Sequence, residues 1–427
     1  MTAAQTQAPP RGGAETPPPS RWREAMHRIV AGNAIISLLA VVAAILVGSI
    51  MIAATDDHVQ AAAGYFFQRP GDTFSAIGSA VGGAYAALFR GSIYNFNADS
   101  FAIGIRPLTE TLKFATPLIA AGLGVGLAFR AGLFNIGGQG QMLMAAAAAG
   151  YVATTWDLPF PLHMIAAILA GIVAGAIWAG IAGLLKARTG AHEVIVTIML
   201  NHIAVYLLAW MLATQGVLQA PGSNNPKTAP MAESAVLPLI AGPMYKLHLG
   251  FLLALVAVAV TWMILERSSL GFRFRAVGIN PAAARTAGIS VGWSYFLVMV
   301  IAGALVGLAG VSQVLGTEPK GFSGGIDAGI GFDAITVALL GRSRPLGILG
   351  AGLLFGAFKT GGFTMQASQG VPIEIVLVVQ SLIVLFIAAP PLVRAMFGLP
   401  QPGTSSRRQR RAAQRRAAAA EGKEVSA

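Results

Sequence analysis

Long apolar runs carrying one charge or none alternate with charged connections along this chain, and the lengths of the runs decide what it can be. Such runs cover residues 31–54, 111–129, 162–185, 194–214, 247–265, 291–316, 346–363 and 373–389. A helix needs about 20 apolar residues to cross the hydrocarbon of a bilayer, so each run is a candidate span. The uncharged stretch 131–155 and a short apolar descent over 330–341 add two more, which gives about ten. Residues 74–89, bounded by Asp72 and Arg90, are short for a span and read as an interfacial or re-entrant helix. The expected fold is an all-α polytopic transmembrane helical bundle of about ten spans with broken or re-entrant helices.

Charge orients the runs. Arg130, Lys186, Arg188, Arg342 and Arg344 mark one side, and the loop 266–289 joins them with four arginines and one acid. Basic residues collect on the cytoplasmic side, so this side is inner. Asp56, Asp57, Asp72 and Asp99 fall in 55–110, and the proline-bearing loop 215–246 carries only Lys227 and Lys246 as cations; both suit the outer side. Ten spans place both termini in the cytoplasm. Residues 1–28, rich in Pro, Ala, Gln and Thr, cannot bury a core and read as a disordered basic arm. The transmembrane domain then covers 29–396, and 397–427 is an Arg-rich cytoplasmic tail.

Composition agrees and excludes alternatives. Hydrophobic residues make up 55% and charged residues 11%, with a mean hydropathy of +0.68; soluble domains carry about 25% charged residues. Cysteine is absent, which removes disulfides, thiolate catalysis and Cys-ligated metals. The net charge of +12 sits mainly in tails and short loops, and the tail arginines suit anionic lipid headgroups better than nucleic acid. Gly356-Ala357-Phe358-Lys359-Thr360 imitates a phosphate-binding loop but lacks the glycine before lysine and lies in an apolar run. Energy for any transport must come from a partner or from an ion gradient.

Polar chemistry concentrates in 129–141, Phe-Arg-Ala-Gly-Leu-Phe-Asn-Ile-Gly-Gly-Gln-Gly-Gln, where Asn135, Gln139 and Gln141 stand among glycines. Glycine disfavours a helix interior by about 1 kcal/mol, and non-helical backbone at membrane depth must be buried in protein or line a watery cavity. Asn135 is five residues beyond inner Arg130, about 7 Å deep if helical and about 16 Å if extended. The extended course would bring the three amides to a polar solute near mid-membrane. Glu193, Asn201 and His202 mark another span, with Glu193 and Asn201 two turns apart on one helix face. Glu318 and Asp333 flank an outer glycine-rich stretch and are candidate gate residues, and no ligand set for a metal is spaced along the chain. On the inner loop, Asn280 caps a short helix that Pro281 begins and Gly288 ends. With Arg273, Arg275 and Arg285 around it, this helix is a surface that a soluble motor could grip.

The run 129–141 resembles the signature of permease subunits of ATP-binding-cassette importers, in the family serving branched-chain amino acids and simple sugars, and is most similar to the nucleoside-uptake branch. The likeness extends from about Glu110 to Pro391. It implies a bacterial plasma-membrane importer, with a coupling helix within 266–289. The implied partners are ABC ATPase subunits that bind ATP and Mg, a second related permease subunit and an extracytoplasmic substrate-binding lipoprotein. It also implies nucleosides as cargo. Simple sugars such as ribose are the alternative cargo, and a gradient-driven carrier is the alternative class.

Overall fold

The computed structural model describes residues 33–398. The arm 1–28 and the tail beyond residue 398 lie outside them. Two compact units divide the chain: Ala44–Ala388, and the two ends, Met1–Ala43 with Ala389–Ala427. Of the end unit, the described parts are the first turns of α1 (Asn33–Thr55) and the short helix α16 (Pro390–Met396).

The main unit is all-α. In chain order it contains the rest of α1, α2 (Asp57–Ala63), α3 (Pro70–Ser92), α4 (Phe101–Gly104), α5 (Arg106–Arg130), α6 (Gly138–Thr155), α7 (Leu162–Thr189) and α8 (Glu193–Ala213). There follow α9 (Gly250–Arg267), α10 (Ser269–Ile279), α11 (Pro281–Thr286), α12 (Val291–Ser312) with a π-helical turn (Gln313–Thr317), α13 (Ile330–Leu340), α14 (Pro345–Gln369) and α15 (Ile373–Ala388).

Six helical segments are long and apolar enough to cross a membrane: Phe101–Arg130, α7, α8, α9, Val291–Thr317 and α14. A pair bent by 74°, Val41–Thr55 with Asp57–Ala63, makes seven if counted as one broken span. The expectation of about ten spans is therefore too high. Two of the surplus runs are too short as helices: α13 has 11 residues and α15 has 16, about 16 and 24 Å against a hydrocarbon core of about 30 Å. A third, α6, opens on Gln139 and Gln141 and is too polar. The count of ten therefore no longer supports the placement of the termini. Residues 74–89 belong to the longer helix α3, which packs along α14, where a side chain at Gly91 would meet Thr364 and one at Gly361 would meet Leu88.

Burial separates centre from rim. The apolar window of Phe101–Arg130 is 78% buried and that of Val291–Thr317 61%, against 22% for α8. So α5 and α12 form the centre and α8 lies at the edge. On α7 the exposed residues Ile165, Leu169, Val173 and Ile177 recur every four positions, a stripe that faces lipid rather than a core. The opposite side of α7 meets α12 through glycine on both helices. A Cβ at Gly175 would lie 2.5 Å from the Gly303 carbonyl oxygen and 2.9 Å from Gly307 Cα, and one at Gly307 2.9 Å from the Gly171 carbonyl oxygen. The two backbones touch, as small-residue stripes allow in membranes.

Candidate functional site

Between α5 and α6 the chain is non-helical over 131–137. Two independent rulers show how far it climbs. Arg130 donates from Nε to the Ser343 carbonyl at 2.9 Å, so the inner ends of α5 and α13 are level. A Cβ at Gly138 would lie 2.7 Å from the Gly331 carbonyl oxygen, so the start of α6 is level with the start of α13. The 11 residues of α13 separate those levels, about 16 Å at 1.5 Å per residue. Along α8, the Glu193 carboxylate accepts from the Phe134 amide at 3.4 Å, and Asn201 meets Ile136 eight residues further on, about 12 Å deeper.

Such a backbone needs partners for its polar groups, and amide side chains supply them. Asn135, fully buried, accepts from the Gly137 amide at 3.0 Å and from Gln141 Nε2 at 2.9 Å, and donates back to Gln141 Oε1 at 3.3 Å. Asn201 reaches across from α8: its oxygen accepts from the Gly140 amide at 2.8 Å, and its nitrogen donates to the Ile136 carbonyl at 2.9 Å. The first turn of an α-helix leaves its amides without partners, and the N-cap residue Gly137 offers no side chain. Asn201 is thus a cap supplied by another helix. Glu193 pairs with Lys186 at 2.8 Å and holds the inner end of the loop.

Gln139 points the other way, donating to Asp327 at 3.2 Å. Asp327 opens the turn Asp327-Ala328-Gly329 that leads into α13, with Ala328 at φ +47° and Gly329 at φ +78°. On the far side of the turn, Lys359 of α14 donates to the Ala328 carbonyl at 3.4 Å. The turn is therefore held from both sides. Ala328 lines two cavities. The outer one, about 360 Å³, is bordered by Lys227, Gln313, Glu318 and Ser323. The other, about 340 Å³, holds Asp333, Lys359 and Gln380 between α5, α13, α14 and α15. The π-helical turn after α12 places Gln313, whose Nε2 donates to the Ile326 carbonyl at 3.3 Å; such turns occur often at functional sites.

Among the sequence candidates, Asn135, Gln141 and Asn201 gather on the non-helical segment and the start of α6, and Gln139 leaves from the same turn in the opposite direction to Asp327. Glu318 stands exposed at the rim of the outer cavity and Asp333 lies in the second cavity. His202 falls on the exposed side of α8, away from this segment. Asp327, Gln313, Lys359 and Gln380 join the site without having been singled out as path residues. For Lys359, an ammonium within an apolar run was the available signal. No group of three His, Asp or Glu that could hold a metal exists among the described residues.

At the Arg130 end of the bundle, Asn280 Oδ1 caps α11 by accepting from the Ala282 and Ala283 amides at 3.0 and 3.1 Å. Within α11 only Ala284 is buried, and Pro281, Arg285 and the following Gly288 are exposed. Arg273 is exposed and Arg275 half-buried. Phe272 and Ile279 are 62% and 86% exposed, an apolar face on a polar loop. Phe274 is buried in a cluster with Leu127, Ala131 and Leu133, and a Cβ at Gly278 would collide with the Arg130 carbonyl. The arginine-bearing loop therefore rests directly on the inlet of the non-helical segment.

Residues 108–388 match the family described as branched-chain amino acid transport system, permease component. The chain belongs to this family. It is 39% identical over 325 residues to a guanosine ABC transporter permease protein of Bacillus subtilis, covering 75% of this chain and 89% of the relative. It is 38% identical over 289 residues to a glucose ABC transporter permease protein of Haloferax volcanii, with 66% and 75% covered. Identity to a nucleoside ABC transporter permease protein of Lactococcus lactis is 36% over 302 residues, with 68% and 81% covered. No solved structure matches the chain. This permease is a multi-pass membrane subunit of an ABC importer that provides a transmembrane path.

Proposed function

We propose that the permease carries nucleosides inward by alternating access, driven by partner ATPases. The observation that carries this reading is the non-helical segment ahead of α6, where buried Asn135 and Gln141 pair with each other while Gln139 holds Asp327, the residue next to Ala328 in the wall of the outer cavity. Amides between apolar walls offer a donor and an acceptor each, which suits the base edges and ribose hydroxyls of a neutral solute. The guanosine and nucleoside relatives support the same cargo.

In this reading an extracytoplasmic lipoprotein delivers the solute to the outer cavity beside Glu318. The turn Asp327-Ala328-Gly329 is the gate, closed while Gln139 and Lys359 hold it. ATPase subunits, which bind ATP and Mg, dock on α11 with Arg273, Arg275 and Arg285, and with Phe272 and Ile279 as apolar contacts. Their closure pushes on Gly278 and so on the Arg130 inlet, which shifts α6 and releases the gate. A second, related permease completes the path. Both termini lie in the cytoplasm. Sugars are the second reading, favoured by the glucose relative.

Uptake of labelled nucleosides by the reconstituted complex tests the assignment, with Gln139→Ala beside the native protein. Saturable, ATP-dependent uptake that falls at least tenfold in the variant is expected. Competition by ribose or glucose but not by nucleosides would overturn it.

A further inference from the structure

The cavity behind the gate holds polar groups of which the transport reading uses only Lys359, as a holder of the gate turn. Its polar groups are the Asp333 carboxylate, the Lys359 ammonium and the Gln380 amide, and apolar side chains such as Leu118, Phe355, Phe358 and Val376 form the rest of its wall. Gln380 is buried, yet among the described residues its amide has no hydrogen-bond partner, and the Asp333 carboxylate has neither a hydrogen bond nor an ion pair. Lys359 donates one hydrogen bond, to the Ala328 carbonyl, and stands 5.8 Å from the Phe114 ring centroid, and an ammonium has three donors, so it keeps capacity toward the cavity. Three polar groups with unused capacity thus face one volume of about 340 Å³, the size range of small-molecule sites. Asp333 and Lys359 are half-buried, so their polar atoms are open to whatever occupies this volume rather than closed off by protein.

The kinds of capacity are specific. An ionised carboxylate only accepts and can take two parallel N–H bonds; an ammonium only donates. With both charged, the chamber is neutral overall and suits an uncharged ligand. A complementary flat ligand presents two adjacent N–H donors next to a carbonyl acceptor. Among nucleobases that edge is guanine's: the ring N–H and exocyclic amine meet the carboxylate, and the carbonyl meets the ammonium. Hypoxanthine and uracil offer one N–H beside a carbonyl. Adenine places a ring lone pair next to its amine, against the carboxylate.

Resting on the nucleoside reading above, we infer that this chamber is where the base is read, and that Asp333 with Lys359 selects guanine-type nucleosides. The wall it shares with the outer cavity at Ala328 makes it the next station once the gate turn moves.

The test measures uptake of labelled guanosine, inosine and adenosine by the reconstituted importer, native and with Asp333→Asn or Lys359→Met. The native complex is expected to prefer guanosine, then inosine, over adenosine. Asparagine in place of Asp333 offers one acceptor and one donor, the complement of adenine. The guanosine-to-adenosine ratio should then fall roughly 10- to 100-fold, the value of one or two hydrogen bonds to a charged group, with adenosine uptake retained or raised. Retained adenosine uptake shows that the variant is folded. Lys359→Met should weaken guanosine and inosine uptake more than adenosine uptake. Nucleoside uptake that shows no base preference, or that scales equally for all three in Asp333→Asn, overturns the inference and leaves the nucleoside reading standing. Failure of every nucleoside to enter or compete removes both.

Discussion

Asn201 offers the sharpest test of how the broken segment is held. Replacing it with alanine removes the acceptor of the Gly140 amide and the donor to the Ile136 carbonyl, at 2.8 and 2.9 Å. Gly140 is buried and Ile136 partly so, and the methyl of alanine supplies neither partner. Each buried group left unpaired costs about 1 to 3 kcal/mol, so the start of α6 should lose about 2 kcal/mol or more of local stability. At about 1.4 kcal/mol per tenfold, amide exchange at Gly138–Gln141 should accelerate by roughly 30-fold or more. The measurement is hydrogen–deuterium exchange of the purified complex, read on peptides covering 134–145, with peptides of α7 as the internal control. Asn201→Asp keeps the acceptor but loses the donor, and should fall between the two. Unchanged protection of Gly140 in Asn201→Ala would refute the assignment of Asn201 as the cap of α6.

Three further outcomes are expected. Gly278→Val places a side chain against the Arg130 and Ala131 backbone, an overpacking cost of about 1 to 3 kcal/mol, and should lower uptake more than it lowers ATP hydrolysis by the assembled complex. Phe272→Ser with Ile279→Ser should weaken co-purification of the ATPase at least tenfold while the permease keeps its melting temperature. Burial, reinforced by the charge of Lys113, pushes His248 down to about 4 from an ordinary 6.5. The folded protein therefore resists a proton that the unfolded loop accepts below pH 6.5. Stability is full above that pH and declines by about 3 kcal/mol as pH falls to 4; thermal melts over this range should slope for native protein and flatten for His248→Asn.

Much of the molecule is legible in its sequence because hydrocarbon imposes a simple rule on long helices. The runs at 162–185, 194–214 and 291–316 need only be apolar and long, and α7, α8 and α12 follow. The rule fails where helices are sheltered by protein. Protein covers most of α6, so it can carry Gln139 and Gln141 without facing lipid, and α13 can be 11 residues long because it starts inside the fold. Asn201 was legible as a polar residue two turns beyond Glu193. His202 was not separable from it without the helix, since one residue is a rotation of about 100° and takes it to the exposed side. Along the sequence, Asp327 is one acid in a glycine-rich loop and Lys359 the lysine of the imitation phosphate loop. Their roles depend on Gln139 and Ala328, the first 188 residues away from its partner, and no local pattern reports such a meeting.

Where Gly175 of α7 meets Gly303 and Gly307 of α12, backbone rests on backbone with no side chain at the crossing to rotate or compress. Two rods in direct contact slide poorly and bend together, so the pair behaves as a single girder through any cycle of the importer. The strokes that open one side and shut the other then fall to the parts that no regular helix stiffens and that side-chain hydrogen bonds hold: the seven residues ahead of α6, and the turn at Ala328.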